Sequence, residues 1–398
     1  MSEPFDPLIR RVLPEVIAFR HEMHAHPELS FQEHETAARI RAKLATLPGI
    51  EVRPPLLETD VVALLNGDKP GPCFALRADI DALPIEEQGD VAYKSTVPGR
   101  MHACGHDGHT SVLLGAAMVL SQMADALPGK VKFIFQPAEE EGGGGGKLCE
   151  RGVLDDPKVD AAAALHAWPM QPVGTMSVRP GPVAAACNDF KITIRGRAGH
   201  GAYPHRCVDP IVIAAEVIGA LQTIVSREVP PTDAGVVTVG AIQGGSTTNV
   251  IPPEVVMQGT IRYYRDETGE QMRRRVEAIV EHIPRAHGGE GVIELRNGYP
   301  SLLNDPNMTE LAISVGREVL GESNVSTNED PSMGAEDFAY YSRRIPVSMF
   351  RLGIRPAGVD AYPGLHHPKF DFTDDALPVG IRLFCEIASR YLHAHAGS

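Results

Sequence analysis

Several short apolar runs of this chain end next to side chains that bind metals. Residues 73–76, 130–135 and 159–165 are apolar enough for buried strands of one sheet. The polar side chains that follow these runs, together with one separate Cys/His pair, are Asp79 and Asp81, Cys104 and His106, Glu139 and Glu140, and His166. Open α/β sheets place their sites at the carboxyl ends of the strands. The recurrence therefore favours one common site over isolated structural residues and predicts an α/β fold.

The densest group of metal-binding side chains is the stretch 101–109, with the sequence MHACGHDGH. In an extended backbone Cys104 and His106 point the same way, and both suit zinc or a similar divalent ion. A C-x-H pair alone is a weak signal, but an imidazole buried without a partner costs free energy. The stretch is therefore either exposed or satisfied by a shared ion. Asp107 is the predicted N-cap of an apolar helix over 110–123.

Length and charge narrow the class of protein. A chain of 398 residues exceeds the usual limit of one core, so two domains are expected. A net charge of -14 argues against a nucleic-acid partner. No apolar run is recognised as a membrane span, and no membrane association is expected. The six cysteines lack paired spacing, which predicts reduced thiols and a cytoplasmic protein.

Local patterns predict the first elements and loops. Residues 7–47 are helical in pattern, with a break at 26–30, and the histidines there are expected to be solvated. Ser30 and Glu33 have the spacing of a capping box for the second helix. Five glycines follow Glu141, but the phosphate-loop pattern is absent, so a flexible loop beside the site is predicted.

The middle of the chain has the texture of a separate domain. Its predicted elements are a strand, a helix, two strands, a helix and a strand, at 189–196, 209–227, 235–242, 254–263, 267–282 and 291–297. This order is that of the split ferredoxin-like unit, inserted into the first domain. Its loops 199–205 and 244–252 are chemically unusual, although tight-turn chemistry is the simpler interpretation of both. After residue 300 the first domain resumes, with a last helix predicted over 375–394.

Eight motifs carry a resemblance to a known family, and they occur in order along almost the whole chain. They are LRADIDALP, MHACGHDGHT, FQPAEEEGGGG, LHAWP, GHGAYPH, GGSTTNVIP, MGAEDFA and LHHPKFDF. The set resembles the amidohydrolase branch of the aminoacylase/carboxypeptidase metallopeptidases. That group includes hippurate hydrolases, N-acyl-amino-acid amidohydrolases and plant auxin-conjugate hydrolases.

The resemblance implies a fold and an assembly. The fold class is α/β, with a mixed-sheet, three-layer catalytic domain of the zinc-peptidase type formed by residues 1–186 and 300–398. Residues 187–299 form the inserted α+β ferredoxin-like (βαββαβ) domain, which serves as a lid and dimerisation domain. The resemblance thus implies a homodimer that forms through this inserted domain.

The resemblance also implies the site residues. The implied metal ligands are Cys104, His106, Glu140, His166 and His366. Glu139 is the implied general base, and His366 is preferred to His367 because the family pattern is L-H-x-P. Asp81 is assigned a catalytic role by orienting a ligand. His200 and Asn249 contact the substrate, and His200 acts as a catalytic donor in the site of the partner subunit.

Together these residues imply a chemistry. Five ligands imply two divalent ions, Mn, Zn, Co or Ni, about 3.5 to 4 Å apart, with a bridging water of lowered pKa. Glu139 takes the water proton and returns it to the leaving amine. The expected function is hydrolysis of the amide of small N-acyl or N-aroyl amino acids such as hippurate. The alternatives are a dipeptidase or a deacetylase of N-acetyl amino-acid precursors, and, in another class, a non-catalytic metal- or ligand-binding relative.

Overall fold

The computed structural model describes residues 5–397, and the chain divides into two compact units. The first unit runs to Val183 and also contains Leu303–Asp330 and the chain from Asp337 onward. The second unit comprises Ala184–Leu302 and Pro331–Glu336. The second unit thus interrupts the first in sequence.

The helices and strands follow the apolar periodicity of the sequence. Within the described residues the α-helices are α1 (Phe5–Ala25), α2 (His34–Leu44), α3 (His106–Leu120), α4 (Gly144–Glu150), α5 (Pro210–Thr223), α6 (Asp266–Ala286), α7 (Pro306–Leu320), α8 (Ala339–Ser342) and α9 (Leu377–Ala394). The strands are β1 (Ile50–Val52), β2 (Val61–Leu65), β3 (Cys73–Asp79), β4 (Lys130–Gln136), β5 (Ala161–Pro172), β6 (Met176–Ser177), β7 (Gly181–Ala184), β8 (Ala186–Arg195), β9 (Gly199–His200), β10 (Gly235–Gly244), β11 (Val250–Ile251), β12 (Glu254–Tyr263), β13 (Glu290–Asn297), β14 (Leu302–Asn304), β15 (Val325–Ser326) and β16 (Val347–Arg355).

The first unit contains a large mixed sheet. Its order is β1-β2-β4-β3-β5-β16-β6-β15. Strands β4, β3, β5 and β16 are parallel to one another, and β2 is antiparallel to both of its neighbours, β1 and β4. Every residue of β2 and β3 is buried, as is typical of strands covered on both faces. All residues of α3 are buried as well, because it is apolar from Val112 to Leu120 and packs against α1 and α9. The predicted α/β fold with a mixed sheet is confirmed.

The second unit contains a four-stranded antiparallel sheet of order β10-β12-β8-β13. Alternate residues of β8, among them Phe190, Ile192 and Ile194, are buried in one core with the apolar faces of α5 and α6. Asp209 caps α5 by accepting a hydrogen bond from the Ile211 amide, and Pro210 follows at the first helical position. The order of elements is the predicted strand, helix, strand, strand, helix, strand.

One helical stretch of the described chain has the length and composition of a membrane span, although the sequence analysis expects none. Pro210–Glu228, which is α5 with its continuation, is long and apolar enough to cross a membrane by length and composition, with a mean hydropathy of 1.4. A third of this stretch is buried inside the protein. Core helices of soluble proteins have the same composition, so this stretch is weak evidence for a membrane segment.

The predicted capping box at the start of α2 is wrong. The carboxylate of Glu28 accepts the hydrogen bonds of the first free amides instead, at 3.2 Å from Glu35 N and 2.8 Å from Thr36 N. Ser30 and Glu33 are thereby released from capping and turn toward the interior of the first unit. The pattern Ser-x-x-Glu is present, but another carboxylate satisfies the helix terminus.

Asp107 is not the N-cap of α3. The residue before the helix is Gly105 in the left-handed conformation (φ +87°), and Asp107 lies buried in the first turn. Its carboxylate receives a hydrogen bond from His24 Nδ1 at 2.9 Å and lies 3.8 Å from Arg20 Nε. The expectation that the histidines of 21–34 are all solvated is therefore wrong for His24, which is fully buried. These buried charges join α1 to the start of α3.

The glycine run is not a flexible loop. Gly144, Gly145 and Gly146 are buried in the first turn of α4. A Cβ at Gly144 would lie 1.8 Å from the Pro137 carbonyl oxygen, and one at Gly145 would lie 2.8 Å from the Asp337 carbonyl oxygen. The glycines are required because the backbone packs against other backbone here, without room for a side chain.

A fully buried guanidinium lies beneath the ends of β3 and β4. Arg77 donates to Gln136 Oε1 at 3.0 Å, to Asp79 Oδ2 at 2.8 Å and to Asp337 Oδ1 at 2.8 Å. The other carboxylate oxygen of Asp337 accepts from the Gly145 amide at 2.7 Å. Arg77 therefore joins two buried carboxylates from distant parts of the sequence and neutralises their charge.

Replacement of Arg77 by leucine is expected to destabilise the protein by about 3–5 kcal/mol, because Asp79 and Asp337 would stay buried without their cation. The matched control is Arg274→Leu, which removes an exposed ion pair with Glu270 and is expected to cost less than about 1 kcal/mol. The measurement is urea unfolding of both variants and the parent, followed by circular dichroism. Equal losses for the two variants would contradict the role of Arg77.

Candidate active site

The polar side chains that follow the parallel strands of the first unit come together at one edge of the sheet. β3 and β4 are paired in register up to Asp79 and Gln136, so the segments after them leave the sheet side by side. Glu139 and Glu140 follow β4 after Pro137 and Ala138. His166 differs from its prediction, because β5 continues to Pro172 and His166 lies within the strand, where its burial pattern changes.

The turn before α3 presents two of the candidate ligands. Gly105 has a left-handed backbone, and a Cβ there would lie 3.1 Å from the Ala167 Cβ, so glycine is needed for both conformation and space. Cys104 precedes this turn and His106 begins the helix, and both side chains are buried. The tight turn therefore places the thiol and the imidazole of the C-x-H pair side by side.

Six metal-binding side chains converge there and are called the donor cluster: Cys104, His106, Glu139, Glu140, His166 and His366. Cys104 Sγ lies 3.5 Å from His166 Nε2. Glu140 Oε1 lies 3.8 Å from His106 Nε2 and 3.4 Å from His366 Nε2. Ligand atoms of these six residues alone form three overlapping groups within 4.8 Å, namely Cys104/His106/His166, Cys104/Glu140/His366 and His106/Glu139/Glu140. Groups that share members in this way suit two neighbouring ions.

Two atoms of the donor cluster are buried without a hydrogen-bond partner in the described structure. They are His106 Nε2 and Glu140 Oε1, 3.8 Å apart. Buried polar atoms are rarely left unpaired, and an ion that both atoms contact would satisfy them together. The donor cluster thus fits a bound metal by geometry as well as by residue type.

The electrostatics of the donor cluster also suit a cation. Burial would lower the pKa of His106, but the charges of Asp79 and Asp81 outweigh burial and raise it to about 10. Burial, together with the charge of Glu140, holds the pKa of the Cys104 thiol well above its usual range. Burial lowers the pKa of His166 to about 3, so its imidazole is neutral and able to bind a metal. The local field is negative and favours added positive charge.

Asp81 is fully engaged with the residues around the donor cluster. Its backbone carbonyl and Oδ1 accept from His106 Nδ1 at 2.9 and 3.2 Å, which leaves Nε2 facing the donor cluster. Its Oδ2 accepts from the Glu140 amide at 3.0 Å and from Ser30 Oγ at 2.8 Å. Burial alone would raise the pKa of Asp81, but the hydrogen bond and charge of His106, with the hydrogen bonds from the Glu140 amide and Ser30, together outweigh burial and lower it. Asp81 therefore orients two residues of the cluster.

His109 of the same stretch is held by contacts outside the donor cluster, and both ring nitrogens of His102 are buried without a hydrogen-bond partner in the described structure. His109 Nδ1 donates to Asp79 Oδ1 at 2.6 Å, and its Nε2 accepts from the Ala167 amide at 2.8 Å, so both ring nitrogens are occupied. Burial lowers the pKa of His102 to about 4. Of the three imidazoles counted in the sequence, His106 is the one that belongs to the donor cluster.

The structure also separates the two histidines of the LHHP motif. His366 adopts a left-handed backbone (φ +62°), its amide donates to the Ala103 carbonyl, and its ring lies beside Glu140. The side chain of His366 is half exposed, which leaves the donor cluster open to solvent on that side. His367 Nδ1 instead accepts from the Lys369 amide at 3.1 Å. His366 is thus the one placed to bind a metal.

His200 and Asn249 lie together in the second unit. β9 pairs with β11, so that His200 lies opposite Val250, and the Gly201 amide donates to the Asn249 carbonyl. Both side chains are exposed. His200 Nδ1 accepts from the Ala202 amide at 3.1 Å, which is the turn-bracing contact of the simpler interpretation. His200 Nε2 has no hydrogen-bond partner within residues 5–397.

Sequence reasoning missed residues that surround the donor cluster without belonging to it. The spacing of Ser30 and Glu33 predicts a helix cap, and no motif predicts a role for Arg77 or Asp337 by itself. The available signal was weak: Arg77 is a charged residue inside an otherwise apolar run, where an unpaired charge is rarely tolerated. Its partner Asp337 lies 260 residues away, and no local pattern connects the two.

The chain is similar to a known protein family and to curated proteins. Residues 75–390 match the peptidase family M20/M25/M40. The chain is 42% identical to the N-acetyl-L-cysteine deacetylase of Bacillus subtilis over 96% of this chain and 90% of that protein. It is 37% identical to the IAA-amino acid hydrolase ILR1-like 4 of Arabidopsis thaliana, over 95% and 86% of the two chains.

A solved structure agrees with these matches. The YXEP protein of Bacillus subtilis, described as a dinuclear metal-binding peptidase of the M20 family, superimposes with a TM-score of 0.84 at 36% identity. The superposition covers 96% of this chain and 99% of that one. The chain therefore belongs to peptidase family M20/M25/M40, in agreement with the resemblance to its amidohydrolase branch.

Proposed function

We propose that the protein is a metal-dependent amidohydrolase that cleaves small N-acyl or N-aroyl amino acids, such as hippurate, to a carboxylic acid and a free amino acid. The observation that carries the proposal is the convergence of the donor cluster, in which His106 Nε2 and Glu140 Oε1 are buried without hydrogen-bond partners. The names of the two curated relatives, a deacetylase of an acetylated amino acid and an amino-acid conjugate hydrolase, support this substrate class.

The ligands of the proposed site are Cys104, His106, Glu140, His166 and His366. The proposed ions are Mn, Zn, Co or Ni. A thiolate and three imidazoles favour Zn, Co or Ni over calcium or magnesium, while the carboxylate also suits Mn. A pair of such ions supplies Lewis acidity and a water of lowered pKa when bound. The description of the YXEP protein as dinuclear supports two ions.

Within this site Glu139 is the general base and acid. Its carboxylate is nearly buried and lies within reach of His106 and Glu140. Glu139 accepts a proton from the attacking water, and after the tetrahedral intermediate has formed it donates that proton to the leaving nitrogen as the C–N bond breaks. Asp81 holds the His106 ring and the Glu140 backbone in place during these steps. The presence of Glu139 favours an enzyme over a non-catalytic relative.

The proposed assembly is a homodimer formed through the second unit. Apolar side chains are exposed there on α5, where Ile211 and Val212 are 45% and 53% exposed, and on β10, where Ile242 is 51% exposed. Exposed apolar side chains that lie together mark protein–protein contacts, and these residues are the proposed members of such a surface. The six cysteines are all unpaired, which supports a cytoplasmic location.

Metal removal tests the proposed function. Dialysis against a chelator is expected to abolish hydrolysis of hippurate or N-acetyl amino acids, and Mn²⁺, Zn²⁺, Co²⁺ or Ni²⁺ is expected to restore it. The assay includes dipeptides, so that the dipeptidase alternative is measured in the same experiment. Full activity in protein shown to be metal-free by elemental analysis would disprove the proposal.

The two adjacent glutamates are expected to respond differently to the same substitution. Glu139→Gln should keep its metal and lose turnover by roughly a hundred- to ten-thousand-fold, because it removes the proton acceptor. Glu140→Gln should lose metal as well, because a neutral amide is a poorer ligand for a cation. The measurement is metal content beside kcat for both variants. The reverse order of metal contents would mean that the two roles are exchanged.

The proposal that His200 acts in the partner's site is tested with a mixed dimer. His200 would donate to the negative oxygen of the tetrahedral intermediate, so His200→Ala should cost about a hundred- to a thousand-fold in turnover. Chains carrying Glu139→Gln and His200→Ala are co-expressed with different tags and the heterodimer is purified. If His200 acts across the interface, one site of the heterodimer is complete and activity returns to about half that of the parent. A heterodimer as inactive as the Glu139→Gln and His200→Ala homodimers would exclude a shared site.

A further inference from the structure

The loop between α1 and α2 contacts the segments that carry the donor cluster. Ser30 Oγ donates to Asp81 Oδ2 at 2.8 Å, and Glu33 Oε1 accepts from the Ala138 amide at 2.9 Å. In addition, the Phe31 ring lies against Gly142, where a Cβ would come within 2.5 Å of it. These residues belong to the first unit but lie more than 100 residues before the turn that follows β4.

Glu33 contacts Ala138, a residue whose backbone conformation is unfavourable. Ala138 immediately precedes Glu139 and has a left-handed conformation (φ +56°), which its Cβ disfavours. Ala138 is fully buried, and its carbonyl accepts from the Gly144 amide at 3.0 Å. A left-handed non-glycine residue persists only when its surroundings hold it, and the buried carboxyl of Glu33 is such a contact.

We propose that Glu33 is a positioning residue for the amidohydrolase reaction. By holding the Ala138 amide, its carboxyl fixes the turn that directs Glu139 and Glu140 into the donor cluster. The inference rests on the proposed function, in which those two glutamates are base and ligand. Glu33 is not a member of the donor cluster, so in this proposal it acts through the geometry of the turn.

The chemical environment of Glu33 indicates which property of the side chain matters. Burial, followed by the negative charge of Asp81, raises the pKa of Glu33 to about 7. The contact with Ala138 needs a hydrogen-bond acceptor, which the neutral acid and the carboxylate both provide. Glutamine keeps this acceptor at the same chain length, whereas alanine removes it. The two substitutions therefore separate the hydrogen bond from the charge.

The first test measures metal affinity and kinetics in the full-length protein. Glu33→Ala is expected to lower Mn²⁺ affinity and kcat by about 10-fold or more, with KM within about twofold of the parent, because loss of an outer contact of a metal site costs about 10–100-fold. Glu33→Gln is expected to stay within about threefold of the parent. The matched control is Glu35→Ala, an exposed glutamate in the first turn of α2, which is expected to behave as the parent.

A second measurement tests the stability of the turn independently of catalysis. Hydrogen exchange of the amides in 136–146 is compared in the metal-free proteins, and it is expected to be faster in Glu33→Ala than in the parent, Glu33→Gln and Glu35→Ala. A parent that hydrolyses none of the amides would contradict the proposed function, while the exchange rates still test the turn. If Glu33→Ala does not fold, Glu33→Asp replaces it, because its carboxylate is one methylene too short. Parental exchange and parental Mn²⁺ affinity in a folded Ala or Asp variant would overturn the proposal.

Discussion

Buried negative charge at the carboxyl ends of β3 and β4 is the constraint on which the first unit depends. Asp79 and Asp81 are completely buried, and a buried charge without a partner costs several kcal/mol. Arg77 neutralises part of this charge by donating hydrogen bonds to Asp79 and Asp337. His106 Nδ1 also donates a hydrogen bond to Asp81. Glu140 Oε1 is buried without a hydrogen bond and lies 3.4 Å from His366 Nε2, so its negative charge faces the donor cluster, where it favours metal cations.

The sequence predicts the elements of the fold and the members of the donor cluster. Elements are predictable because apolar periodicity is a local property, which β2 with five buried residues and α6 with one buried stripe both show. Candidate ligands are recognisable because few side chains bind metals and because they recur after apolar runs. The eight motifs also indicate, by resemblance to a family, which chemistry these residues carry out, and periodicity alone does not indicate this.

The residues that support the donor cluster are not predictable in the same way. Glu33 bonds to Ala138 across 105 residues and Arg77 to Asp337 across 260, so neither contact has a signal in the neighbouring sequence. Local rules were misleading where such contacts compete with them. Ser30 and Glu33 have capping spacing and Asp107 has a capping position, but each is taken by a buried partner instead. Polar residues near a site satisfy the site before they satisfy local structure.

The backbone around the donor cluster follows the same principle. Among the described residues, the non-glycine positions with a left-handed backbone include Phe31, Ala138 and His366. Phe31 packs against the glycine run, Ala138 precedes Glu139, and His366 is itself a donor. Each such residue costs about 1–2 kcal/mol in conformation. Their placement is stable because surrounding contacts compensate for this cost, as the Ala103 carbonyl does for the His366 amide. A relaxed backbone at these positions would move a base or a ligand, so the strain and the geometry of the site are retained together.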